Sequence, residues 1–157
     1  MAKGLREQIA DYENYIHTGN QFLDVIIRDK SHLAKEKNID FNAIVHLDPD
    51  CFIEPLDIST VFGNAIDNAI EASEKIAEDK RLITVKADRI RDMLVITVEN
   101  NTLTDAANAY NTTKEDRFMH GFGIPNIKNA VEKYGGQCSI RTSDGRFLLK
   151  ILIPYPD

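Results

Sequence analysis

Two pairs of segments with alternating apolar residues most constrain what this chain can fold into. The first pair is Leu82–Ala87 and Met93–Val98, joined by a short polar connection. The second pair is Gln137–Thr142 and Arg146–Ile153, joined through Asp144-Gly145, a dipeptide typical of tight hairpin turns. A period of two indicates strands with one buried face, so each pair is predicted to form an antiparallel hairpin.

A long helix is predicted between Asp57 or Ser59, either of which could cap it, and about Glu78. Its apolar residues recur at steps of three and four, which is the helical period. That apolar face comprises Val61, Phe62, Ala65, Ile66, Ala69, Ile70, Ile76 and Ala77.

The other segments complete a mixed order of helices and strands. Residues 1–38 have helical periodicity, and Thr18-Gly19-Asn20 is predicted to divide them into two helices. Ile39–Leu47 alternates like a strand, and a further helix opens at Gly123 or Pro125 and ends at Gly135-Gly136. This order predicts an α+β fold, a two-layer α/β sandwich in which a mixed sheet carries helices on one face.

Composition restricts the classes of partner. With 157 residues, of which 43% are hydrophobic, the chain can bury roughly 70% of its unfolded surface. Its 19 basic and 25 acidic residues give a net charge of -6, which argues against nucleic acid or an anionic membrane as a partner. Cys51 and Cys138 have no nearby cysteine or histidine partner and are predicted to be reduced thiols without a chemical role.

Two asparagines on the long helix are candidates for binding a cation. Asn64 and Asn68 are four residues apart and therefore lie about 40° apart around the helix axis. A solvated polar face is the alternative interpretation of this spacing. A carboxamide oxygen is a suitable ligand for Mg²⁺, which takes one or two protein oxygens when it is bound to a nucleotide.

A glycine turn follows a long polar segment. Asn100–His120 has no apolar period, and a loop of this length is predicted to be a lid. In His120-Gly121-Phe122-Gly123-Ile124, the glycines let the backbone approach a ligand, and the following helix offers N–H groups to phosphate. A simple helix-entry turn remains the alternative, as does a hydrogen-bonding loop role for His120.

In this order the motifs resemble the nucleotide-binding domain of the GHKL superfamily, most closely that of sensor histidine kinases of the peptide quorum-sensing type. Asn64–Glu71 resembles the N box of that family. Thr112-Thr113-Lys114 and His120–Ile124 resemble its lid and its second glycine box, and Ile16–Phe41 is similar to the segment that leaves its dimerization helices.

The resemblance implies a Bergerat ATP-binding fold that holds ATP and Mg²⁺. It implies Asn68 as the metal ligand, Asn64 facing the phosphates, and Lys114 adding positive charge from the lid. Over the whole chain, the implied cofactor-binding residues are Asn64, Asn68, Asn100, Lys114, His120, Gly121, Phe122, Gly123 and Ile124.

The chain departs from the family pattern at two positions. Many relatives have an Asp-x-Gly-x-Gly box where this chain has Asn100-Asn101-Thr102-Leu103. The Asp of that box accepts a hydrogen bond from the adenine amino group. The amide oxygen of Asn100 can accept the same bond, but without the assistance of a charge. ATPases of the superfamily have Glu at the position of Asn64, and an amide cannot act as the general base that activates water. We therefore expect slow hydrolysis, which suits a kinase.

None of the four histidines lies in the family's phosphoacceptor context, so the resemblance implies a fragment without its own catalytic acceptor. Residues 1–37 are expected to be the end of the dimerization region and its linker, and residues 38–157 the catalytic domain. The expected partners are the phosphoacceptor and dimerization domain of the same parent kinase, a response regulator and, through the N-terminal helices, a second copy. A cytoplasmic location, as part of a membrane-anchored receptor, is expected.

Two other functions stay open. An anti-sigma-factor-type serine kinase has the same fold, although the N-terminal segment counts against it. A degenerate interaction module without nucleotide is suggested by the missing Asp, whereas Asn68, Gly121 and Gly123 count against that alternative.

Overall fold

A computed structural model describes residues 17–103 and 123–157, which form one sheet covered by helices. The elements of this described part are α1 (Gln21–Glu36), β1 (Asp40–Val45), α2 (Pro55–Ser73), a 3₁₀ turn (Glu78–Lys80), β2 (Leu82–Ile90), β3 (Met93–Asn101), α3 (Gly123–Glu132), β4 (Gln137–Ser143) and β5 (Arg146–Pro154). The predicted α+β fold with a mixed sheet is confirmed.

The five strands lie in the order β1-β2-β3-β5-β4. β1 and β2 are parallel, and α2 is the crossover between them, whereas the other neighbouring strands are antiparallel. Both predicted hairpins are confirmed. Between β4 and β5, Asp144 and Gly145 have φ of 51° and 74°. Positive φ at both residues gives a two-residue turn whose twist matches that of the strands it joins.

The core lies between one face of the sheet and the helices. Alternate residues of β2, β3 and β5 point inward, as their period of two predicts. The largest side chains that are fully buried there are Phe62, Leu23, Ile27, Ile58, Ile66, Ile83, Leu94, Ile96, Ile124, Ile127, Leu149 and Ile151. Since residues from α1, α2 and α3 all belong to this one cluster, the core fixes the helices against each other.

A hydrogen-bonded turn precedes α1. The side-chain oxygen of Asn20 accepts from the backbone N–H groups of Phe22 and Leu23 at 3.1 and 3.2 Å, and thereby caps the helix. The same side chain donates to the carbonyl of Asp48 at 3.1 Å, and Leu47 N donates to the carbonyl of Thr18 at 2.7 Å. A helix beginning after Thr18-Gly19-Asn20 is confirmed, and the segment predicted as the preceding helix lies outside the described residues.

Both predicted ends of α2 are wrong. Glu54, not Asp57 or Ser59, is the N-cap residue, and Pro55 begins the helix, where its fixed φ and missing N–H cost nothing. The helix ends at Ser73 rather than Glu78, and Ala77 is exposed. Beyond the helix, the carbonyls of Glu74 and Ile76 accept from the guanidinium group of Arg81 at 3.2 and 3.0 Å.

Candidate functional site

Asn64 and Asn68 both lie half-buried on α2, beside its apolar face. The amide nitrogen of Asn64 donates to the carbonyl of Thr60 at 2.8 Å. This bond directs the Asn64 side chain back along its own helix, one turn toward the N-terminus. The predicted pair is therefore present on one side of α2, and one member already has a local partner.

The first residue of α3 lies directly against Asn68. A Cβ atom on Gly123 would be 3.0 and 3.1 Å from the two polar atoms of the Asn68 carboxamide. These distances are tighter than most Cβ contacts, so a side chain at Gly123 would require the Asn68 amide to shift by a few tenths of an ångström. The absence of a Cβ lets the backbone of α3 approach the amide without that shift. Of the two predicted starts of this helix, Gly123 is confirmed and Pro125 is not.

The amide nitrogen of Asn68 has no hydrogen-bond partner within the described residues, although solvent does not reach it. A buried polar atom without a partner costs free energy, so its presence indicates a position where another group completes the site. A half-turn of the amide presents its oxygen instead of its nitrogen, and oxygen is the ligand that Mg²⁺ prefers. The residues present therefore fit a bound cation or nucleotide.

Asn100 lies within β3 and is only 2% exposed, so the predicted lid does not begin there. Its amide nitrogen donates to the carbonyl of Asn101 at 3.0 Å. Because the N–H end is used in this way, the oxygen is the end that can accept a bond from a ligand. β3 continues one residue beyond Asn100 because Asn101 pairs with Arg146 of β5, and the side chain of Asn101 donates to the carbonyl of Lys80 at 2.8 Å.

Several predicted site residues lie outside the described residues: Thr112, Thr113, Lys114, His120, Gly121 and Phe122. Ile124 is described, and its side chain is fully buried in the core. Only the backbone of Ile124 can therefore face a ligand.

The described residues contain no cluster of three or more His, Cys, Asp or Glu side chains that could hold a metal ion. Burial raises the pKa of the thiols of Cys51 and Cys138, so both favour the neutral form. In the part of the chain described, no helix combines the length and apolar character needed to cross a membrane.

Sequence reasoning missed a cluster of Asp57, Lys133 and Tyr134, which we call the Asp57 clamp. Asp57 Oδ2 accepts from Lys133 Nζ at 2.9 Å and from the Tyr134 hydroxyl at 2.5 Å. The bonds from Lys133 and Tyr134 lower the pKa of Asp57, and the bond to Asp57 raises the pKa of Lys133. The clamp joins residues 76 and 77 positions apart, so no local pattern could have indicated it.

These elements form an α+β domain with a mixed five-stranded sheet, and comparison with known proteins identifies the family. Residues 53–154 match the family model of the GHKL domain, so the chain belongs to the GHKL family. No curated protein sequence matches it significantly.

Solved structures of histidine kinases have the same fold. The catalytic domain of histidine kinase ThkA, in a nucleotide-free form, is 20% identical with a TM-score of 0.60, over 86% of this chain and 95% of that one. The Acinetobacter baumannii histidine kinase AdeS is 11% identical with a TM-score of 0.61, over 87% of this chain and 64% of that one. At sequence identities this low, the similarity shows a shared fold and nothing further.

Proposed function

We propose that this chain binds Mg-ATP between α2 and α3 and presents it for phosphoryl transfer to a histidine on another domain. It would thus act as the catalytic domain of a two-component sensor histidine kinase. The observation that carries the proposal is the amide nitrogen of Asn68, which solvent does not reach, which has no partner in the described residues and which lies against Gly123.

Each site residue has a proposed role. The bound nucleotide supplies the phosphoryl group, and Mg²⁺ offsets the phosphate charge. Asn68 holds the metal through its amide oxygen, Asn64 faces the phosphates, and the start of α3 offers backbone N–H groups to them. The amide oxygen of Asn100 accepts from the adenine amino group. Since Asn64 cannot act as a general base, little ATP is lost to water.

We also propose the molecular context of this domain. The acceptor histidine belongs to the phosphoacceptor domain of the same parent kinase, which passes the phosphoryl group to a response regulator in the cytoplasm. The subtype that fits the motifs best is the peptide quorum-sensing type. We place the start of the catalytic domain near Thr18 rather than after residue 37, because Leu23 and Ile27 of α1 belong to the core that α2 and α3 share. In this proposal, dimerization involves residues before Thr18.

Calorimetric titration with a non-hydrolysable ATP analogue, with and without Mg²⁺, tests the binding site. We expect Mg²⁺-dependent binding by the wild type and a loss of at least tenfold in affinity for Asn68→Ala, since the metal loses its protein oxygen. Asn42→Ala is the matched control because Asn42 is exposed on β1. Absence of wild-type binding at millimolar nucleotide would instead support the degenerate interaction module.

Phosphoryl transfer in trans tests the kinase activity. A separately expressed phosphoacceptor domain of the parent kinase, incubated with this chain and γ-labelled ATP, should gain label that is lost in acid, as phosphohistidine is. Acid-stable label on serine would support the anti-sigma-factor-type kinase. A chain that binds nucleotide but labels no acceptor would contradict the proposed activity.

A further inference from the structure

The Asp57 clamp ties the beginning of α2 to the residues that follow α3. Asp57 is in the first turn of α2 and is only 7% exposed, whereas Lys133 and Tyr134 come directly after the last residue of α3. The Tyr134 hydroxyl donates to Asp57 and accepts from the backbone N–H of Glu54 at 3.0 Å. The ring of Tyr134 meets that of Phe52 edge to face, with centroids 5.9 Å apart. Tyr134 is thus held both by its hydroxyl and by its ring.

The clamp and the candidate nucleotide site lie at opposite ends of the same helix pair. α2 and α3 run in opposite directions, because Gly123 is beside Asn68 and Lys133 is beside Asp57. Asp57 and Asn68 are eleven residues apart (68 − 57), and Gly123 and Lys133 are ten apart (133 − 123). At 1.5 Å per residue, the clamp is about 15 Å from Asn68.

The two ends of α3 are held by different kinds of contact. Between them, Ile124, Ile127 and Val131 pack into the core, and apolar packing of this kind is largely non-directional. At the far end, hydrogen bonds to a buried carboxylate fix distance and angle. At the near end, the Asn68 nitrogen makes no hydrogen bond within the described residues. Among the described residues, the clamp therefore supplies a directional restraint on the position of α3 along α2.

We infer that the Asp57 clamp positions the nucleotide site: it fixes α3 along the axis of α2 and thereby sets how closely the Gly123 backbone approaches Asn68. This inference rests on the proposed nucleotide binding. Asp57, Lys133 and Tyr134 are then positioning residues that act through α3 and do not touch the ligand. A small axial shift of α3 changes the spacing between the phosphate donors and the metal ligand, and such spacing strongly affects binding and transfer.

Tyr134→Phe tests the inference because it removes one hydroxyl and keeps the ring against Phe52. We expect the affinity for a non-hydrolysable ATP analogue with Mg²⁺ to fall by about five- to twentyfold, within the usual range of coupling between separate sites. The affinity is measured by calorimetry at a temperature where circular dichroism shows both proteins to be folded. Lys133→Met, at an exposed position, gives a second measurement of the same coupling if Tyr134→Phe does not fold.

Asn20→Ala distinguishes positioning from general loss of stability. It removes the cap of α1, destabilises the chain and lies outside the α2–α3 pair, so its nucleotide affinity should equal that of the wild type. Lys133→Arg keeps a cationic donor to Asp57 and should retain wild-type affinity.

The outcomes separate this inference from the proposed function. If the wild type binds no nucleotide, the proposed function fails. If the wild type binds and the folded clamp variants bind equally well, or if Asn20→Ala loses as much affinity as they do, the positioning role is wrong.

Discussion

The structure requires glycine at position 19 but leaves room for a side chain at position 63. Gly19 has φ of +98°, and a Cβ atom there would be 2.6 Å from the carbonyl oxygen of Leu47. Gly63 is inside α2, and a Cβ atom there would meet nothing within 4 Å. We predict that Gly19→Ala lowers the free energy of unfolding by roughly 1–3 kcal/mol, and that Gly63→Ala raises it by about 0.5–1 kcal/mol.

Urea unfolding of the two variants and the wild type at one temperature measures both effects. The pair is internally controlled, because each variant adds the same methyl group. If Gly19→Ala were as stable as the wild type, the turn before α1 would not depend on the close approach to Leu47.

The placement of individual residues could be predicted from the sequence where it depends only on neighbouring residues. The spacing of Asn64 and Asn68 predicted that they share one side of a helix, and the structure places both on the same side of α2. The role of Asp57 could not be identified, because a carboxylate in a first helical turn has the same local pattern whether it caps its own helix or binds a distant lysine. Its actual partners, Lys133 and Tyr134, depend on how α3 packs on α2.

At the scale of elements, Arg81 holds together the ends of both long helices and the start of β2. Its guanidinium group donates to the carbonyls of Lys37, Glu74 and Ile76 at 2.8, 3.2 and 3.0 Å. We predict that Arg81→Lys lowers the free energy of unfolding by about 1–2 kcal/mol, because an ammonium group cannot satisfy three carbonyls arranged around a planar fork.

Chemical denaturation followed by circular dichroism measures this loss. Arg141→Lys is the control, since Arg141 is exposed on β4, and its effect should stay within 0.5 kcal/mol. Equal stability of the two variants would contradict the assigned role of Arg81.

The boundaries of elements could be predicted where a turn determines them. The β4–β5 hairpin could be predicted from Asp144-Gly145, because few residues favour the positive φ angles that this turn requires. The end of α2 was missed because the apolar period continues past Ser73, into a segment whose carbonyls at Glu74 and Ile76 accept from Arg81. The hydrophobic period alone continued to Ile76, which is indeed buried, but after a turn rather than in the helix.

For the whole molecule, the central question is whether α1 belongs to the catalytic body. α1 and α2 are linked by the ion pairs Lys30–Asp67 and Lys37–Glu74. Both pairs have the same offset of 37 positions, so the two helices run parallel in a constant register. Exposed ion pairs contribute little stability, but here they accompany apolar side chains of α1 that are fully buried in the common core.

We therefore predict that α1 and α2 lose their amide protection together. In native-state hydrogen exchange, the amides of Ile27 and Ile66, both in helix interiors, should report the same free energy of opening within about 0.5 kcal/mol. Added Mg-ATP analogue should raise both values equally, because a ligand that binds only the folded state stabilises the whole cooperative unit. An opening free energy for Ile27 well below that for Ile66 would instead place the domain boundary after residue 37, with α1 a separate element that only rests on the sheet.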